Sequence, residues 1–424
     1  MSKFVPLSFF WLALLAVVFG GRFYSTDVVA QCEVAGSFLG ERPFLTASGE
    51  YGFIVEGTRK GAFIPHGVGY SVLLVPAALV GHVIGEEALK VTGASLNGLW
   101  SLVLVLAWYA VICMKYRGVS LLRMIVLAVG GMTLMYGRIP FDVTSAAASA
   151  MLGLYLLEKN RFVPAGLCLG LSIFIRLDSI LLLPVFWRDW KSTLAMLRGT
   201  IPFLLLIATA NWYRFGSPFI DGHNQDPAMF LTAFKGGIPG LLLSPGKGLI
   251  YYSPLAFLAI FYQRDWRYWL PFVLALILHG MLHDWSGGTG WGPRFLFTTL
   301  PFFLIPLARK GAGGKMFWVI GAIGVVITFV ASWSNTSLIE QGLGASVFSD
   351  PTRQKVIWTY ASSPLVGAFR NFGQGVPDLL CVTAAQSVRL PVWAGIMAQF
   401  ASAGCIAAAG FVLLNRDSRL SSKS

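Results

Sequence analysis

Apolar runs of about 18 residues or more recur along the whole chain, and this feature constrains the fold more than any other. Runs of that length are typical of helices that cross a bilayer. Of the 424 residues, 56% are hydrophobic and only 12% are charged, whereas roughly 25% are charged in soluble proteins. The sequence therefore predicts an all-α polytopic membrane protein with about twelve transmembrane helices and no soluble domain of ordinary size.

The net charge of +13 does not indicate nucleic-acid binding. In membrane proteins, surplus Lys and Arg mainly set the orientation of the helices. The N-terminus has the apolar core of a signal peptide but no small-residue cleavage site, so we interpret it as a retained first helix. The five cysteines form no C-x-x-C pair and predict neither a disulfide framework nor a zinc site, although Cys32 and Cys381 could both lie outside and pair.

Charge in the loops orients the second half of the chain. Apolar spans are predicted near residues 194–213, 250–262, 268–282, 295–308, 316–333 and 389–414. The segments between them that are short and basic belong in the cytoplasm: 187–191, 263–267, 308–315 and the C-terminal tail. The alternate loops are longer, rich in Gly, Pro and aromatic residues, and face outward: 214–249, 283–294 and 334–388.

The first half allows two threadings. One makes 67–86 a membrane span. The other leaves that segment outside and divides 163–187 into two short helices around the Arg-Leu-Asp at 176–178. We prefer the second threading because it places the basic residues near 115–123 and 159–161 inside.

The preferred threading gathers acidic and basic groups on the outer face. It gives a long first external loop, 22–95, and it also places 136–142 outside. We divide the chain accordingly into a transmembrane module, 1–213, that includes this loop, and a second transmembrane half, 214–424.

Two carboxylates near the outer boundary are candidates for chemistry, and each allows two interpretations. Ser25 or Thr26 can cap a helix that holds Asp27 in its first turn. Asp27 is then either an N-terminal helix acid at the interface or a general base held at the membrane surface. Arg138 and Asp142 form either a pair that braces the fold, or a site in which Asp142 is a second acid facing Asp27 across a cavity.

Arg176 and Asp178 interrupt an apolar run. Ionisable residues at membrane depth are costly and are usually functional or paired. Arg176 can therefore pair with Asp178 or with a lipid phosphate. His66 follows Pro65 in a turn that precedes an apolar helix, and such a histidine more often bonds only a backbone carbonyl.

Three external turns share one composition, with Gly, Pro and aromatic residues and one cation each. The cations are Arg214, Lys247 and Arg294. Backbone amides of a glycine turn together with a guanidinium form an anion site, whereas isolated cations at helix ends often only anchor the helix in the membrane. Three such turns on one face favour a polyanionic ligand, most simply a phosphate.

His279 and His283 are four residues apart, a spacing that can hold a metal, but no third ligand is evident. The chain has no G-x-x-x-x-G-K-[ST] motif and no dinucleotide-binding fingerprint. ATP-driven transport and nicotinamide chemistry therefore have no support in this sequence.

The chain resembles bacterial membrane glycosyltransferases of the GT-C superfamily, the group that includes protein O-mannosyltransferase-like enzymes and the lipid A aminoarabinose transferase. The likeness covers most of the chain. It rests on the acid in the first external loop and on the stretches IPHGVGYSVLLVPAALVG, RFGSPF, LLLSPGKGLIYYSP and WGPRFL, in that order.

The resemblance implies transfer of a sugar from a polyprenyl-phosphate donor to an acceptor hydroxyl, with inversion, on the outer face of a bacterial inner membrane. Asp27 corresponds to the base, with Glu33 as the second choice because many relatives carry two adjacent acids where this chain has one. Asp142 corresponds to the acid of the next external loop. We expect Arg138, Arg176, Lys247 and Arg294 to bind the donor phosphate, and His66, Tyr70, Asp178, Arg214 and Trp291 to line the substrate pocket.

The expected partners are the lipid-linked sugar donor, membrane lipid and an acceptor that is a lipid, a glycan or a protein. No cofactor is required by the sequence, and a divalent cation is compatible with it. Two other functions stay open. A transporter or flippase of a lipid-linked sugar would show inverted repeats with broken helices in both halves, and we find no convincing repeat. A non-catalytic scaffold would keep the fold without the reaction.

Overall fold

The computed structural model describes residues 4–48, 54–58, 61–222, 234–282, 284–288, 290–335, 339, 357–372 and 374–421. The α-helices are α1 Phe4–Val18, α2 Thr26–Ser37, α3 Val68–Ile84, α4 Glu86–Lys115, α5 Leu121–Gly130, α6 Thr133–Arg138, α7 Asp142–Glu158, α8 Phe162–Ile175, α9 Leu183–Phe186, α10 Trp190–Phe215, α11 Phe234–Leu243, α12 Leu249–Tyr252, α13 Leu255–Tyr262, α14 Trp266–Gly280, α15 Leu300–Phe303, α16 Gly314–Trp333, α17 Pro364–Asn371, α18 Leu380–Ser387 and α19 Val392–Ser421. Short 3₁₀ turns cover Leu177–Leu182, Arg294–Leu296, Ile305–Ala308 and Tyr360–Ser362.

The strands of the described residues form one small antiparallel pair, β1 Val55–Glu56 and β2 Ala62–Phe63, in which Val55 lies opposite Phe63. This pair belongs to the segment between α2 and α3. The predicted all-α class is therefore confirmed.

Four helices of the described residues are long and apolar enough to cross a membrane: Glu86–Lys115, Trp190–Phe215, Gly314–Trp333 and Val392–Leu413. Shorter apolar helices accompany them, among them α1, α3, α5 and α8. Helix α10 exposes a row of large apolar side chains that includes Leu194, Ile201, Leu205 and Leu206. Contiguous apolar surface of this kind is unfavourable in water but is satisfied by lipid chains.

The apolar run 163–187 is broken, as the second threading predicts. Helix α8 ends at Ile175, Arg176 has an extended backbone with φ −140° and ψ 117°, and a 3₁₀ turn and the short α9 follow. The break turns the Arg176 side chain toward two carboxylates, so that its charge is neutralised inside the protein.

Segment 67–86 contains α3, which ends at Ile84 and is followed by Gly85 as its C-cap residue. The φ of Gly85 is +122°, a conformation that L side chains rarely adopt, and the chain reverses there into α4. At the other end of α3, Gly69 lies against the backbone of α8: a Cβ at Gly69 would meet the carbonyl oxygen of Phe174 at 2.3 Å. This contact places the start of α3 beside the break at Arg176.

Helix α7 defines two ends of the bundle. It runs for 17 residues from Asp142 to Glu158, which corresponds to about 25 Å along the helix axis. Glu158 accepts a hydrogen bond of 2.8 Å from Lys115, the last residue of α4. We refer to these two ends as the Asp142 end and the Glu158 end.

Candidate active site

Asp27 is fixed at the start of α2. Ser25 is the N-cap residue, and its side chain accepts a hydrogen bond of 3.2 Å from the backbone N–H of Asp27. The capping prediction is confirmed for Ser25. The Asp27 carboxylate is partly buried and lies 2.7 Å from a guanidinium nitrogen of Arg294, while His66 Nε2 lies 3.8 Å from its other oxygen.

Arg294 emerges from a glycine-rich turn that makes room for its side chain. Cβ atoms added at Gly287 and Gly290 would lie 3.1 Å and 3.3 Å from atoms of the Arg294 side chain. The guanidinium stands 5.0 Å from the ring centroid of Phe141 and 5.3 Å from that of Phe295, at cation–π distance. Its buried Nε has no hydrogen-bond partner among the described residues, so a donor remains for a ligand.

A second charged cluster lies beside the first. Arg176 forms two hydrogen bonds with Asp178, at 3.0 Å and 2.8 Å, and a third with Asp142 at 2.9 Å. Asp178 also pairs with His279 Nε2 at 3.1 Å, and the His279 ring stacks on Phe295 with centroids 4.6 Å apart. Phe295 therefore lies between the two clusters.

Burial and charge act against each other at Asp27. Burial favours the protonated form and raises the pKa, but the charge of Arg294 and the neighbouring His66 outweigh it and hold the pKa of Asp27 well below its ordinary value. At Asp284, in the turn that carries Arg294, burial prevails and raises the pKa. Asp27 is thus ionised, and while it is paired with Arg294 it is a weak base.

Lys247 holds the glycine-rich turn that precedes Arg294. Its side chain is fully buried, and Nζ donates hydrogen bonds to the carbonyls of Gly288 at 2.8 Å and Gly290 at 2.5 Å. The structure therefore places Lys247 against the turn from which Arg294 emerges, and its Nζ donates to two carbonyls of this turn.

Arg138 lies in a different network. It donates to the backbone carbonyls of Val18 and Asp378 and to the Asp378 carboxylate, at 2.6 Å, 2.7 Å and 2.5 Å. Tyr24 OH donates to the same carboxylate at 2.8 Å. The structure does not bring Arg138 together with Arg176 and Arg294. Sequence reasoning did not single out Asp378, because it stands alone in a long loop without a motif.

Arg214 fixes the backbone of the loop that carries His66. One guanidinium nitrogen donates to the carbonyls of Ile64 at 2.9 Å and His66 at 3.1 Å, and the other donates to the Asn211 side chain at 2.8 Å. Its role in the structure is to hold His66 near Asp27.

Tyr70 and Trp291 are both buried, and in the described part of the chain the Tyr70 hydroxyl and the Trp291 ring N–H have no hydrogen-bond partner. The Trp291 carbonyl accepts a hydrogen bond of 2.5 Å from Tyr136 OH, and its ring packs edge-on against Tyr252. Together with Arg294 Nε, these groups supply unused donors near the charged clusters.

His279 pairs with Asp178, and His283 lies outside the described residues. Within the described ranges, no group of three or more His, Cys, Asp or Glu residues is placed to hold a metal ion. Cys32 and Cys381 are free thiols, Cys32 being buried. Parts of loops 214–249 and 334–388 also lie outside the described residues, so the expected acceptor-side role of 334–388 stays a prediction.

No protein-family model matches this chain, and no curated protein matches it. Among solved structures, the chain is similar to the crystal structure of ArnT from Cupriavidus metallidurans bound to undecaprenyl phosphate. The TM-score is 0.50 at 14% sequence identity, over 95% of this chain and 75% of that one. The chain has a GT-C-type fold. A second structure of ArnT, in the apo state, matches with a TM-score of 0.46 at 12% identity over 95% of this chain and 74% of that one.

The resemblance to GT-C proteins is therefore confirmed at the level of fold, and the protein is a polytopic membrane protein. The division into 1–213 and 214–424 stays a prediction. Asp27, in the first of these parts, forms its ion pair with Arg294, in the second.

Proposed function

We propose that the protein is a membrane glycosyltransferase that moves a sugar from a polyprenyl-phosphate donor to an acceptor hydroxyl, with inversion. The observation that carries this proposal is the partly buried Asp27–Arg294 pair at the Asp142 end of a GT-C-type fold. The undecaprenyl phosphate bound to ArnT supports a polyprenyl-phosphate lipid as the donor. The Asp142 end then faces the periplasm or the cell exterior of an inner membrane.

The reaction needs one base and a stabilised leaving group. Asp27 takes the proton of the acceptor hydroxyl as its oxygen attacks the anomeric carbon from the face opposite the phosphate. The bond between that carbon and the phosphate oxygen breaks, and the phosphate leaves with the electron pair. A base of this kind contributes roughly 10²–10⁴-fold to the rate. Cations aimed at the developing charge on the phosphate are usually a larger contribution.

Arg294 is the first candidate for that cation. Its guanidinium is held between two aromatic rings, which fixes its direction, and Nε has no partner among the described residues. A phosphate that accepts a hydrogen bond from Nε competes with Asp27 for the same positive charge. Donor binding therefore raises the pKa of Asp27 toward its ordinary value and makes Asp27 a stronger base when the sugar is in place.

Asp142 and Asp178 hold Arg176 in one direction. Three hydrogen bonds from one guanidinium to two carboxylates leave little rotational freedom to the side chain. We assign Arg176 to the donor phosphate, and we assign Asp142 to orienting Arg176 and to accepting a hydrogen bond from a hydroxyl of the substrate.

The test is sugar transfer by the purified protein from polyprenyl-phosphate sugars to lipid and glycan acceptors. Asp27→Asn should lower kcat roughly 10²–10⁴-fold. The matched control is Glu33→Gln, a carboxylate on the same helix that pairs with Arg42 at 2.7 Å, and it should keep wild-type activity. Full activity of Asp27→Asn with loss of activity in Glu33→Gln would transfer the base assignment to Glu33.

Reconstituted vesicles distinguish the remaining functions. An enzyme transfers sugar without moving the lipid across the bilayer. Movement of the lipid-linked sugar without transfer would identify a transporter. A protein that does neither, across a panel of donors, would be a scaffold, and the proposed enzyme would be excluded.

A further inference from the structure

A concave site lies at the Glu158 end, away from the Asp27–Arg294 pair. It is a cleft of about 520 Å³ lined by Gly118, Ser120, Arg123, Lys310, Gly311, Gly314, Lys315 and Trp318. Its walls are the loop before α5, the loop before α16 and the first turns of both helices. We refer to it as the basic cleft.

The basic cleft is about one membrane thickness from the candidate active site. Helix α16 begins at the cleft and has 20 residues, about 30 Å. At its far end the carbonyl of Trp333 accepts a hydrogen bond of 3.0 Å from the Asp378 backbone N–H, in the network of Arg138, four residues before Asp142. The two sites therefore face opposite leaflets.

One of the three cations is buried and fixed. Arg123 donates from Nε to the carbonyl of Leu307 at 2.5 Å, and a second guanidinium nitrogen donates to the carbonyl of Ala312. The guanidinium also stands 3.7 Å from the ring centroid of Phe317. Arg123 thus ties the loop before α16 to the first turn of α5 and leaves a positive charge at the base of the cleft.

The other two cations are not neutralised. Lys310 and Lys315 are exposed, and neither forms an ion pair or hydrogen bond with any described residue. The lining of the cleft contains no Asp or Glu. Anchoring a helix end in the membrane does not require lysines to share a hollow. These two flank one hollow that Arg123 also lines.

The rim of the basic cleft suits the interfacial region of a bilayer. Gly311 has φ +85°, a backbone conformation that favours glycine. A Cβ at this position would meet nothing within 4 Å, so the cleft is open on this side. Trp318 is 41% exposed at the edge of the cleft. Tryptophan at this position is typical of side chains that lie between head groups and acyl chains.

We propose that the basic cleft binds the phosphodiester head group of an anionic membrane lipid, from the leaflet opposite the candidate active site. Basic pockets between transmembrane helices recognise such head groups by charge. Lys310 and Lys315 contact the phosphate, Arg123 contributes a fixed positive charge, and Trp318 packs against the glycerol and the first acyl carbons. The proposal does not depend on the transfer reaction.

The experiment uses the purified full-length protein in neutral detergent, titrated with phosphatidylglycerol or phosphatidylcholine and followed by native mass spectrometry. The wild type should retain phosphatidylglycerol and not phosphatidylcholine. Lys310→Gln/Lys315→Gln should weaken phosphatidylglycerol binding roughly ten- to thirtyfold, from the loss of two basic contacts.

The matched control removes two charges from the same end of the bundle without touching the cleft. Lys191 and Arg264 are exposed and lie at the Glu158 end. Lys191 is three residues after Arg188, which donates a hydrogen bond to the carbonyl of Leu157, and Arg264 directly precedes the Asp265–Arg267 pair. Lys191→Gln/Arg264→Gln should leave binding within about twofold of wild type. Equal losses in both double variants, or no loss in either, would overturn the proposal.

Two further measurements separate the sources of the phosphate and report directly on the cleft. Inorganic phosphate at millimolar concentration should not displace the lipid; displacement would show a site for free phosphate and overturn the lipid assignment. Phosphatidylglycerol with brominated acyl chains should quench tryptophan fluorescence in the wild type. Quenching should be smaller in Trp318→Phe, and unchanged quenching in that variant would place the lipid elsewhere.

Discussion

Among the Arg–Asp pairs that join distant parts of the described chain, Arg138–Asp378 and Asp27–Arg294 differ in access to solvent. In the Arg138–Asp378 pair the side chains are 0% and 4% exposed, whereas in the Asp27–Arg294 pair the carboxylate is 18% and the guanidinium 11% exposed. Arg138 also donates to two backbone carbonyls, while Arg294 lies between aromatic faces in a glycine turn. A ligand can thus compete for Arg294 but cannot reach Arg138. We therefore interpret the first pair as a brace and the second as part of a site.

The largest expected effect is on stability, at the brace. Arg138→Met leaves the Asp378 carboxylate buried without its main partner, which should lower the free energy of unfolding by about 3–5 kcal/mol. Denaturant unfolding in micelles measures the loss. The control is Arg22→Met, since Arg22 is 39% exposed and 3.7 Å from the same carboxylate, and its loss should cost no more than about 1 kcal/mol.

A double variant tests whether the cost comes from the stranded charge. Arg138→Met/Asp378→Leu removes both charges and should recover part of the stability lost by Arg138→Met alone. A double variant that is less stable than the single one would show that Asp378 is held mainly by Tyr24, and the brace would have to be assigned to that hydrogen bond.

The second largest effect is expected at the Asp27–Arg294 pair, where substitution of Arg294 should lower activity without lowering stability. Arg294→Gln removes the cation beside Asp27, and if Arg294 stabilises the leaving phosphate, kcat should fall roughly 10²–10³-fold. Arg294→Lys should recover only part of the activity, because an ammonium lacks the planar guanidinium fork. The measurement is steady-state sugar transfer with a fixed lipid-linked donor.

The control for Arg294 is an ion pair of similar geometry at the Glu158 end. Arg267 lies 2.6 Å from Asp265 and is about one third exposed. Arg267→Gln should leave kcat unchanged. If Arg294→Gln keeps wild-type kcat while its melting temperature falls, Arg294 is a second brace, and the distinction between the two pairs is lost.

Local sequence patterns predicted candidate site residues whose position is determined by residues next to them in the sequence. Ser25 caps the helix of Asp27, the glycines around Arg294 make room for its side chain, and the break in the apolar run marks Arg176. The polytopic helical class follows from apolar runs alone, because the bilayer leaves few alternatives.

Partners far apart in sequence could not be predicted in the same way. Arg138 and Asp378 are 240 positions apart, and His279 and Asp178 are 101 apart. Each is set by how the helices pack, and neither Asp378 nor His279 stands in a pattern that indicates its partner. The sequence therefore grouped Arg138 with the phosphate-binding cations by charge and by face, whereas the packing separates it from them.

The smallest expected effect is a difference between two pH profiles. The pKa of Asp27 lies well below its ordinary value in the unliganded protein because Arg294 is paired with it. The acid limb of kcat/KM for the donor reports the free enzyme, and that of kcat reports the complex. If the donor phosphate takes part of the charge of Arg294, the pKa of Asp27 rises on binding, and the acid limb of kcat lies at higher pH than that of kcat/KM.

The variant Arg294→Gln tests whether the difference between the acid limbs of kcat and kcat/KM arises from the Asp27–Arg294 pair. Without the guanidinium, only His66 opposes the effect of burial, so the pKa of Asp27 in the free protein rises relative to the wild type. The acid limb of kcat/KM should then move to higher pH, and the gap between the two limbs should narrow. The residual activity of Arg294→Lys gives enough signal to follow both limbs, and its gap should be intermediate. Coincident limbs in the wild type would mean that Asp27 keeps Arg294 throughout the reaction, and the donor phosphate would then have to be assigned to Arg176 alone.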